Sequence, residues 1–166
     1  SLIPDFDIKK HIFPVLINVS FSAFDNTNKY IEDEEVSDLI KYYYVGLRKR
    51  TPDNESGILL KSIDELTNEF LVSINSCREK LLKDRWLKAL YVLQSDPNFK
   101  DQDLTTLIEL DYTIEDEKER KAEYEKRVIS IFSSLSSGHK IVLLSITRIV
   151  ELIEEKSLIL IDEPET

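Results

Sequence analysis

The last stretch of the sequence constrains the fold most strongly. Residues 157–166 read SLILIDEPET, an apolar run that ends in two acids, Asp162 and Glu163. A helical pattern at about residues 139–154 precedes this run, and the apolar residues 158–161 predict a buried strand. A helix followed by an apolar strand is the order expected in an α/β sheet. We therefore predict an α/β fold, with an incomplete sheet and a helical subdomain.

The first part of the chain, residues 1–57, is predicted to be the strand-rich part of the core. The segment IFPVLINVSF at 12–21 is apolar and β-branched, and KYYYVGLR at 41–48 is aromatic, so both predict strands. The acidic segment DEEVSDLI at 33–40 lies between them and predicts a short helix.

Residues 58–132 are predicted to form the helical subdomain. Ser62 and Glu65 make a capping box, S-x-x-E, in front of apolar residues that recur at helical steps through residue 81. Further helices are predicted by DRWLKALYVLQ, which stops before Pro97, by DLTTLIEL with Asp103 as its N-cap, and by EDEKERKAEYEKRVISIF, which pairs Glu117 with Lys121. Residues 133–166 follow as a third segment, which carries the last helix and the last strand.

Composition and charge narrow the function classes. The 166 residues carry a net charge of −10, which disfavours nonspecific attraction to nucleic acid or an anionic membrane. One cysteine excludes an internal disulfide, and with two histidines it makes a zinc site a poor expectation. A reducing, cytoplasmic setting is the natural interpretation. No apolar stretch approaches the roughly 20 residues that span a bilayer, and no signal pattern opens the chain.

The chain is predicted to be a piece excised from a longer protein. It contains no methionine, and it stops just after its acidic pair. Its three glycines do not form a phosphate-binding loop of the G-x-x-x-x-G-K-[ST] kind.

The acidic pair suits metal-assisted chemistry. Two consecutive acids at the end of a strand can serve one site with different roles. Asp162 can hold a hydrated Mg²⁺, a hard cation that prefers oxygen ligands. Glu163 can polarise an attacking water as a general base. The alternative is an ordinary acidic turn after a core strand.

A second motif, LSSGHK at 135–140, lies just before the last helix. A helix N-terminus presents free N–H groups and a partial positive charge, so it suits an anion. The hydroxyls of Ser136 and Ser137 can donate to phosphate oxygens, and Gly138 lets the backbone approach closely. The alternative is an ordinary serine N-cap.

Taken in order, the two motifs resemble those of ABC-type ATPases. LSSGH at 135–139 is similar to the signature motif LSGGQ, and LILIDEPE at 158–165 is similar to a Walker B strand. Asp162 follows Gly138 by 24 positions, room for one helix, a turn and the strand. Ser137 replaces the usual glycine and His139 the usual glutamine. With VSFSAFD and YYYVGLR upstream, the chain looks closest to the RecF-like and OLD-like AAA ATPases, in particular the ATPase subunit of Septu-type and retron-linked anti-phage systems.

The resemblance implies an incomplete P-loop NTPase sheet and a set of site roles. Asp162 would be the Walker B acid on Mg²⁺ and Glu163 the catalytic base. Ser136, Ser137 and Gly138 would contact the γ-phosphate of ATP bound to a second subunit. The active unit would be a homodimer with ATP sandwiched between subunits. The resemblance also allows a nuclease subunit as a partner and contact with nucleic acid through the full complex, and it implies no association with a membrane.

Some parts of the family pattern are missing. No glutamine stands at the place of the Q-loop, where Ser20, Ser22 or Asp25 would have to substitute. The resemblance would put the Walker A loop before Ser1 and the switch histidine after Thr166. We therefore expect that this chain alone does not turn over ATP.

Two other functions are consistent with the sequence. The chain could be a non-catalytic helical interaction module with DEPET as an acidic tail. It could also be a metal-dependent nuclease that uses Asp162 and Glu163, although such sites usually need further carboxylates that converge on two metals.

Overall fold

The computed structural model describes residues 13–21, 34–37, 40–51 and 57–162. The chain divides into two compact units. The sheet unit combines residues 1–59 with residues 152–166, and the helical unit comprises residues 60–151. This division groups residues 133–151 with the helices and returns the last strand to the first part of the chain.

The sheet unit contains a four-stranded sheet in which three strands are parallel. The strand order is β2-β3-β1-β6; β1 runs parallel to both β3 and β6, and β2 runs antiparallel to β3. These strands are β1 (Val15–Ser20), β2 (Glu34–Ser37), β3 (Ile40–Gly46) and β6 (Leu158–Asp162), and a separate two-stranded sheet joins β4 (Arg48–Arg50) to β5 (Ile58–Leu60). The prediction of a mixed α/β fold is confirmed.

The central strand β1 explains the order of the sheet. Val15, Ile17 and Val19 alternate along it and are fully buried, and β-branched residues pack well on a pleated surface. On β3, Val45 lies opposite Val19 and is also fully buried. Tyr42 and Tyr44 lie opposite the alternate residues of β1 and are buried as well. Burial of each such side chain stabilises the fold by about 1.5–3 kcal/mol.

The short helix predicted at residues 33–40 is wrong. Residues 34–37 form the strand β2, which pairs with β3 in the register Glu34 opposite Tyr42 and Glu35 opposite Lys41, with an irregularity before Ser37. Pairing with a strand close in sequence gives this backbone its hydrogen bonds and overrides the acidic, helix-like pattern.

The last strand has the predicted position but is not buried. β6 occupies Leu158–Asp162, and in the described sheet β1 is its only neighbour. Leu160 and Ile161 are 48% and 53% exposed. An apolar run gives the position of a strand, but the number of neighbouring elements determines whether both of its faces are covered.

The helical unit is built from five α-helices and a 3₁₀ helix. Their bounds are α1 (Ile63–Ser76), α2 (Lys80–Leu93), α3 (Pro97–Lys100), the 3₁₀ helix (Leu104–Ile108), α4 (Glu117–Ser134) and α5 (Ser137–Leu152). Its core is a set of large buried side chains: Phe70, Ile74, Trp86, Leu104, Leu107, Val128, Phe132 and Leu143. Phe70 and Phe132 stack with ring centroids 4.4 Å apart, and the buried indole of Trp86 donates to the Thr147 hydroxyl at 3.0 Å.

Local capping signals in this unit are partly confirmed. The Ser62 hydroxyl accepts from the Glu65 N–H, and the Glu65 carboxylate accepts from the Ser62 N–H at 2.7 Å, so the capping box at α1 is present. Asp103 occupies the predicted N-cap position of the 3₁₀ helix, but its carboxylate accepts from the Thr105 hydroxyl and not from a backbone N–H. The helix α4 is capped by Asp116, whose carboxylate accepts from the Glu119 N–H.

The long helical pattern through residue 81 is interrupted. The helix α1 ends at Ser76, the Cys77 N–H bonds the Ser73 carbonyl, and α2 begins at Lys80. Leu81 was predicted to continue the apolar face of the first helix, but it is 66% exposed on the second. Among the described helices, none is both long and apolar enough to cross a membrane.

Candidate functional site

The carboxyl ends of three parallel strands bring Ser20, Gly46 and Asp162 side by side. Ser20 of β1 is paired with Gly46 of β3 and with Asp162 of β6. We call this the carboxyl edge of the sheet. The chain adds β3 on one side of β1 and much later adds β6 on the other side, so the edge lies where the strand order reverses. In open α/β sheets, ligands bind at such a position, just beyond the carboxyl ends of the strands.

Asp162 is a partly exposed carboxylate at this edge. Its predicted companion Glu163 lies outside the described residues, as do Ser22 and Asp25, two of the three Q-loop substitutes. The third, Ser20, is buried. No group of three metal-ligating side chains occurs in the described part of the chain. Hydrated Mg²⁺ needs only one or two carboxylates, so Asp162 has the donor type that this ion uses.

The end of β3 is closely packed around Gly46. A Cβ built on Gly46 would lie 2.8 Å from the Ser20 carbonyl oxygen and would overlap the Tyr44 hydroxyl. Burial raises the pKa of Tyr44, while its interactions with the Arg48 backbone, the Arg48 charge and the Ser20 hydroxyl lower it. Ser20, Tyr44, Gly46 and Arg48 therefore form one compact cluster.

Arg48 is the functional candidate that sequence reasoning missed. It stands two residues beyond Gly46, at the start of β4, and it is only 2% exposed. Its three guanidinium nitrogens are buried and make no hydrogen bond to any described residue. The sequence carries no signal for the burial of Arg48, because an arginine in the run RKR is expected to be exposed to solvent.

In the helical unit, the motif LSSGHK forms the turn between α4 and α5. Leu135 is buried, while Ser136, Ser137 and Gly138 are exposed. The Ser136 hydroxyl accepts from the His139 N–H, so Ser136 is the N-cap of α5. The Lys140 ammonium donates to the carbonyls of Ser133 and Leu135, at 2.9 and 2.6 Å. This lysine satisfies carbonyls left free at the end of α4 and fixes the turn.

The side chain of His139 links this turn to α3. Its Nδ1 lies 2.5 Å from the Ser136 Oγ, and its Nε2 lies 3.5 Å from the Asp96 carboxylate. The Phe99 ring contacts the imidazole edge-on, with centroids 4.9 Å apart. The Asn98 N–H, and more weakly the Asn98 side chain and His139, hold the pKa of Asp96 below its usual value. The imidazole thus positions the hydroxyl of Ser136.

Gly138 is exposed and loosely surrounded. A Cβ at this position would meet no atom of the described residues within 4 Å. Packing against these residues therefore does not require a glycine here. The exposed N-terminus of α5 presents N–H groups and a partial positive charge to the surroundings, which suits an anion brought by another molecule. Asp162 belongs to the sheet unit, whereas Ser136, Ser137 and Gly138 belong to the helical unit.

One curated protein similar to this chain is Protein ea59 of Escherichia phage lambda. The two are 36% identical over 168 residues, a region that covers 95% of this chain and 31% of the phage protein. The chain thus spans about a third of the length of the relative it matches. No family model matches the sequence, and no solved structure matches it.

Proposed function

We propose that this chain is part of an ABC-type ATPase that binds and hydrolyses ATP at a dimer interface and drives a bacterial defence or DNA-processing complex. In this proposal Asp162 holds Mg²⁺ and Glu163 activates the attacking water. Ser136, Ser137 and Gly138 contact the γ-phosphate of ATP bound to the second subunit. The protein acts in the cytoplasm and engages a nuclease or nucleic acid through the assembled complex.

The observation that carries the proposal is the position of Asp162. Its strand is parallel to β1 and ends in register with Ser20, so the carboxylate lies at the edge where open α/β sheets bind ligands. If DEPE were an ordinary acidic turn that binds no ligand, its strand would not need to end at this edge of the sheet. A carboxylate there can hold a magnesium ion against nucleotide phosphates.

The second support is the exposed N-terminus of α5. A helix end that contacts phosphate on another subunit must be free of its own chain, and Ser136, Ser137 and Gly138 are all exposed. The fixed turn lowers the conformational entropy lost when the second subunit docks. The hydroxyls of Ser136 and Ser137 and the dipole of α5 then face the same anion.

The decisive experiment measures ATP-driven dimerisation in a protein that joins this chain to its phosphate-binding loop. We expect MgATP to shift the sedimentation coefficient from monomer to dimer. Ser136→Arg or Gly138→Asp should abolish the shift, because each blocks the phosphate contact. Ser133→Arg is the matched control, since this exposed serine lies one turn earlier on α4.

Glu163→Gln separates binding from hydrolysis in the same protein. Without its general base the dimer should form with ATP and persist, because hydrolysis no longer reopens it. A dimer that forms equally well without nucleotide, or that tolerates Gly138→Asp, would contradict the proposal.

The chain by itself should neither hydrolyse ATP nor bind it tightly, because it carries no phosphate-binding loop. A calorimetric titration with MgATP, alongside Asp162→Asn, tests this. Tight binding that Asp162→Asn weakens would mean that the fold holds nucleotide in another way.

A second candidate function is a helical protein-interaction module. It is favoured by the apolar surface of α2, where Tyr91 and Val92 are 80% and 69% exposed. These two residues, with Gln94, Ser95 and Lys100, line a shallow cavity of about 450 Å³. Replacing both Tyr91 and Val92 by serine should abolish partner binding if this function dominates, while Ser136→Arg should have no effect.

A further inference from the structure

The guanidinium of Arg48 is a buried positive charge that has no hydrogen-bond partner in the described part of the chain. The side chain is almost completely covered, and none of its three nitrogens makes a hydrogen bond among the described residues. The Ser20 hydroxyl, in the same cluster, is also buried and makes no hydrogen bond of normal geometry there. Two unsatisfied donors of this kind in one cluster are rare in folded proteins.

Such a group is costly to keep. A buried charge loses its hydration and is normally compensated by an opposite charge or by several hydrogen bonds. Arginine cannot relieve the cost by losing its proton, because its pKa is above 12 in proteins. The charge is therefore expected to acquire a negatively charged partner in the functional state.

The location indicates what this partner is. Arg48 follows Gly46 by two residues, and Gly46 lies beside Ser20 at the carboxyl edge. We infer that Arg48 and Ser20 form a binding site for a phosphate group, separate from the exposed N-terminus of α5. A guanidinium offers two parallel N–H donors to an oxyanion, and a hydroxyl supplies a third, which together match the oxygens of a phosphate.

Access to this site requires only a local opening. Arg48 begins β4, which with β5 forms a two-stranded sheet of three residues each. An isolated pair of short strands is marginally stable, so it can separate at small free-energy cost. A phosphate would then enter beside β4 and hold the pair closed once it is bound.

The test uses the chain itself and inorganic phosphate as the probe. Chloride is exchanged for phosphate at constant pH and ionic strength, and thermal unfolding is followed together with the amide resonances of Ser20, Gly46 and Arg48. We expect saturable shifts of these resonances. The unfolding midpoint should rise by about 3–6 °C at ten times the dissociation constant.

Arg48→Met removes the charge and keeps the length of the side chain. We expect this variant to lose the phosphate response, while Arg50→Met, the matched change two residues later on β4, keeps it. A wild-type chain that does not respond, or an equal response in both variants, would overturn the inference. If Arg48→Met does not fold, the Arg48 side-chain Nε–H resonance of the wild type decides: it must shift with phosphate and saturate.

The source of the phosphate group is resolved by further titrations. ATP and AMP, each without Mg²⁺, are compared with inorganic phosphate. Binding of inorganic phosphate alone assigns the site to a free anion, and tighter binding of a nucleotide assigns it to a nucleotide phosphate. Asp162→Asn should leave the inorganic phosphate response intact, so loss of the proposed ATPase function and loss of this site are distinguishable.

Discussion

Gly46 occupies a position where a side chain has no room. Its Cβ would approach the Ser20 carbonyl oxygen and the Tyr44 ring, both of which belong to the sheet. We predict that Gly46→Ala lowers the free energy of unfolding by about 1–3 kcal/mol, because backbone and ring must move apart. Gly138→Ala is the control, with the opposite sign: the new methyl group meets no described residue, and the change should stabilise α5 by up to about 1 kcal/mol. Urea unfolding of both variants checks the pair, and equal effects would contradict the packing argument.

Tyr124 should make the stability of the helical unit fall at alkaline pH. Its hydroxyl donates to the Leu107 carbonyl, and burial raises its pKa from 10.0 to about 12. A raised pKa means that the folded state favours the neutral phenol, so stability is full below pH 10 and is lost as the pH rises towards 12. Burial likewise raises the pKa of Cys77 to about 12, which adds to the loss above pH 9.

Replacing Tyr124 separates its contribution from that of Cys77. Tyr124→Phe should cost about 1 kcal/mol at pH 7, where the hydrogen bond is lost. Its unfolding free energy should then fall by about 2 kcal/mol less than that of the wild type between pH 10 and 12. Denaturant unfolding at several pH values measures both slopes, and parallel slopes would show that Tyr124 does not titrate with folding.

At the scale of elements, two predictions that rest on local signals were correct, whereas two at positions that depend on long-range contacts were wrong. The capping box at Ser62 and the stop before Pro97 were correct, because helix ends depend on residues a few positions away. The helix predicted at residues 33–40 was wrong, because the conformation of residues 34–37 depends on pairing with β3. The break after Ser76 was missed for a related reason: the apolar pattern continues in sequence, but Leu81 is exposed on a separate helix.

The capping box gives a prediction at this scale. Ser62→Ala removes the acceptor of the Glu65 N–H and should lower the stability of the helical unit by about 1 kcal/mol. Ser76→Ala, at the other end of α1, is the control, because its hydroxyl only bonds back to the Val72 carbonyl. Circular dichroism during urea unfolding compares the two. A larger loss for Ser76→Ala would argue against the role of the box.

At the scale of the whole molecule, the sequence indicated individual candidate residues better than it indicated which residues the fold brings together. The motifs indicated Asp162 and Ser136 as site residues, and the described structure places the first at a strand end and the second at a helix start. The sequence could not indicate Arg48, because the burial of a charged side chain depends on which elements cover it. It could not indicate that Gly46 and Ser20 are neighbours either, because that depends on strand order.

The two compact units predict independent folding of one of them. Residues 60–151 contain the entire helical unit and its buried core. Expressed alone, this segment should show a helical circular dichroism spectrum and a cooperative thermal transition. Phe70→Ala should abolish or sharply lower that transition, whereas Leu81→Ala, at an exposed position, should leave it nearly unchanged. A segment that stays unfolded would show that the helices depend on the sheet unit.

The pairing of β1 with β6 has a consequence for how the protein is made. Leu16 lies beside Leu158, so β1 gains this neighbour only after the whole helical unit, residues 60–151, has been translated. The helical unit lies between these partners in sequence and is complete earlier. On the ribosome, β1 therefore remains without β6 while the helices fold, and the slow addition of this strand should govern the yield of native protein.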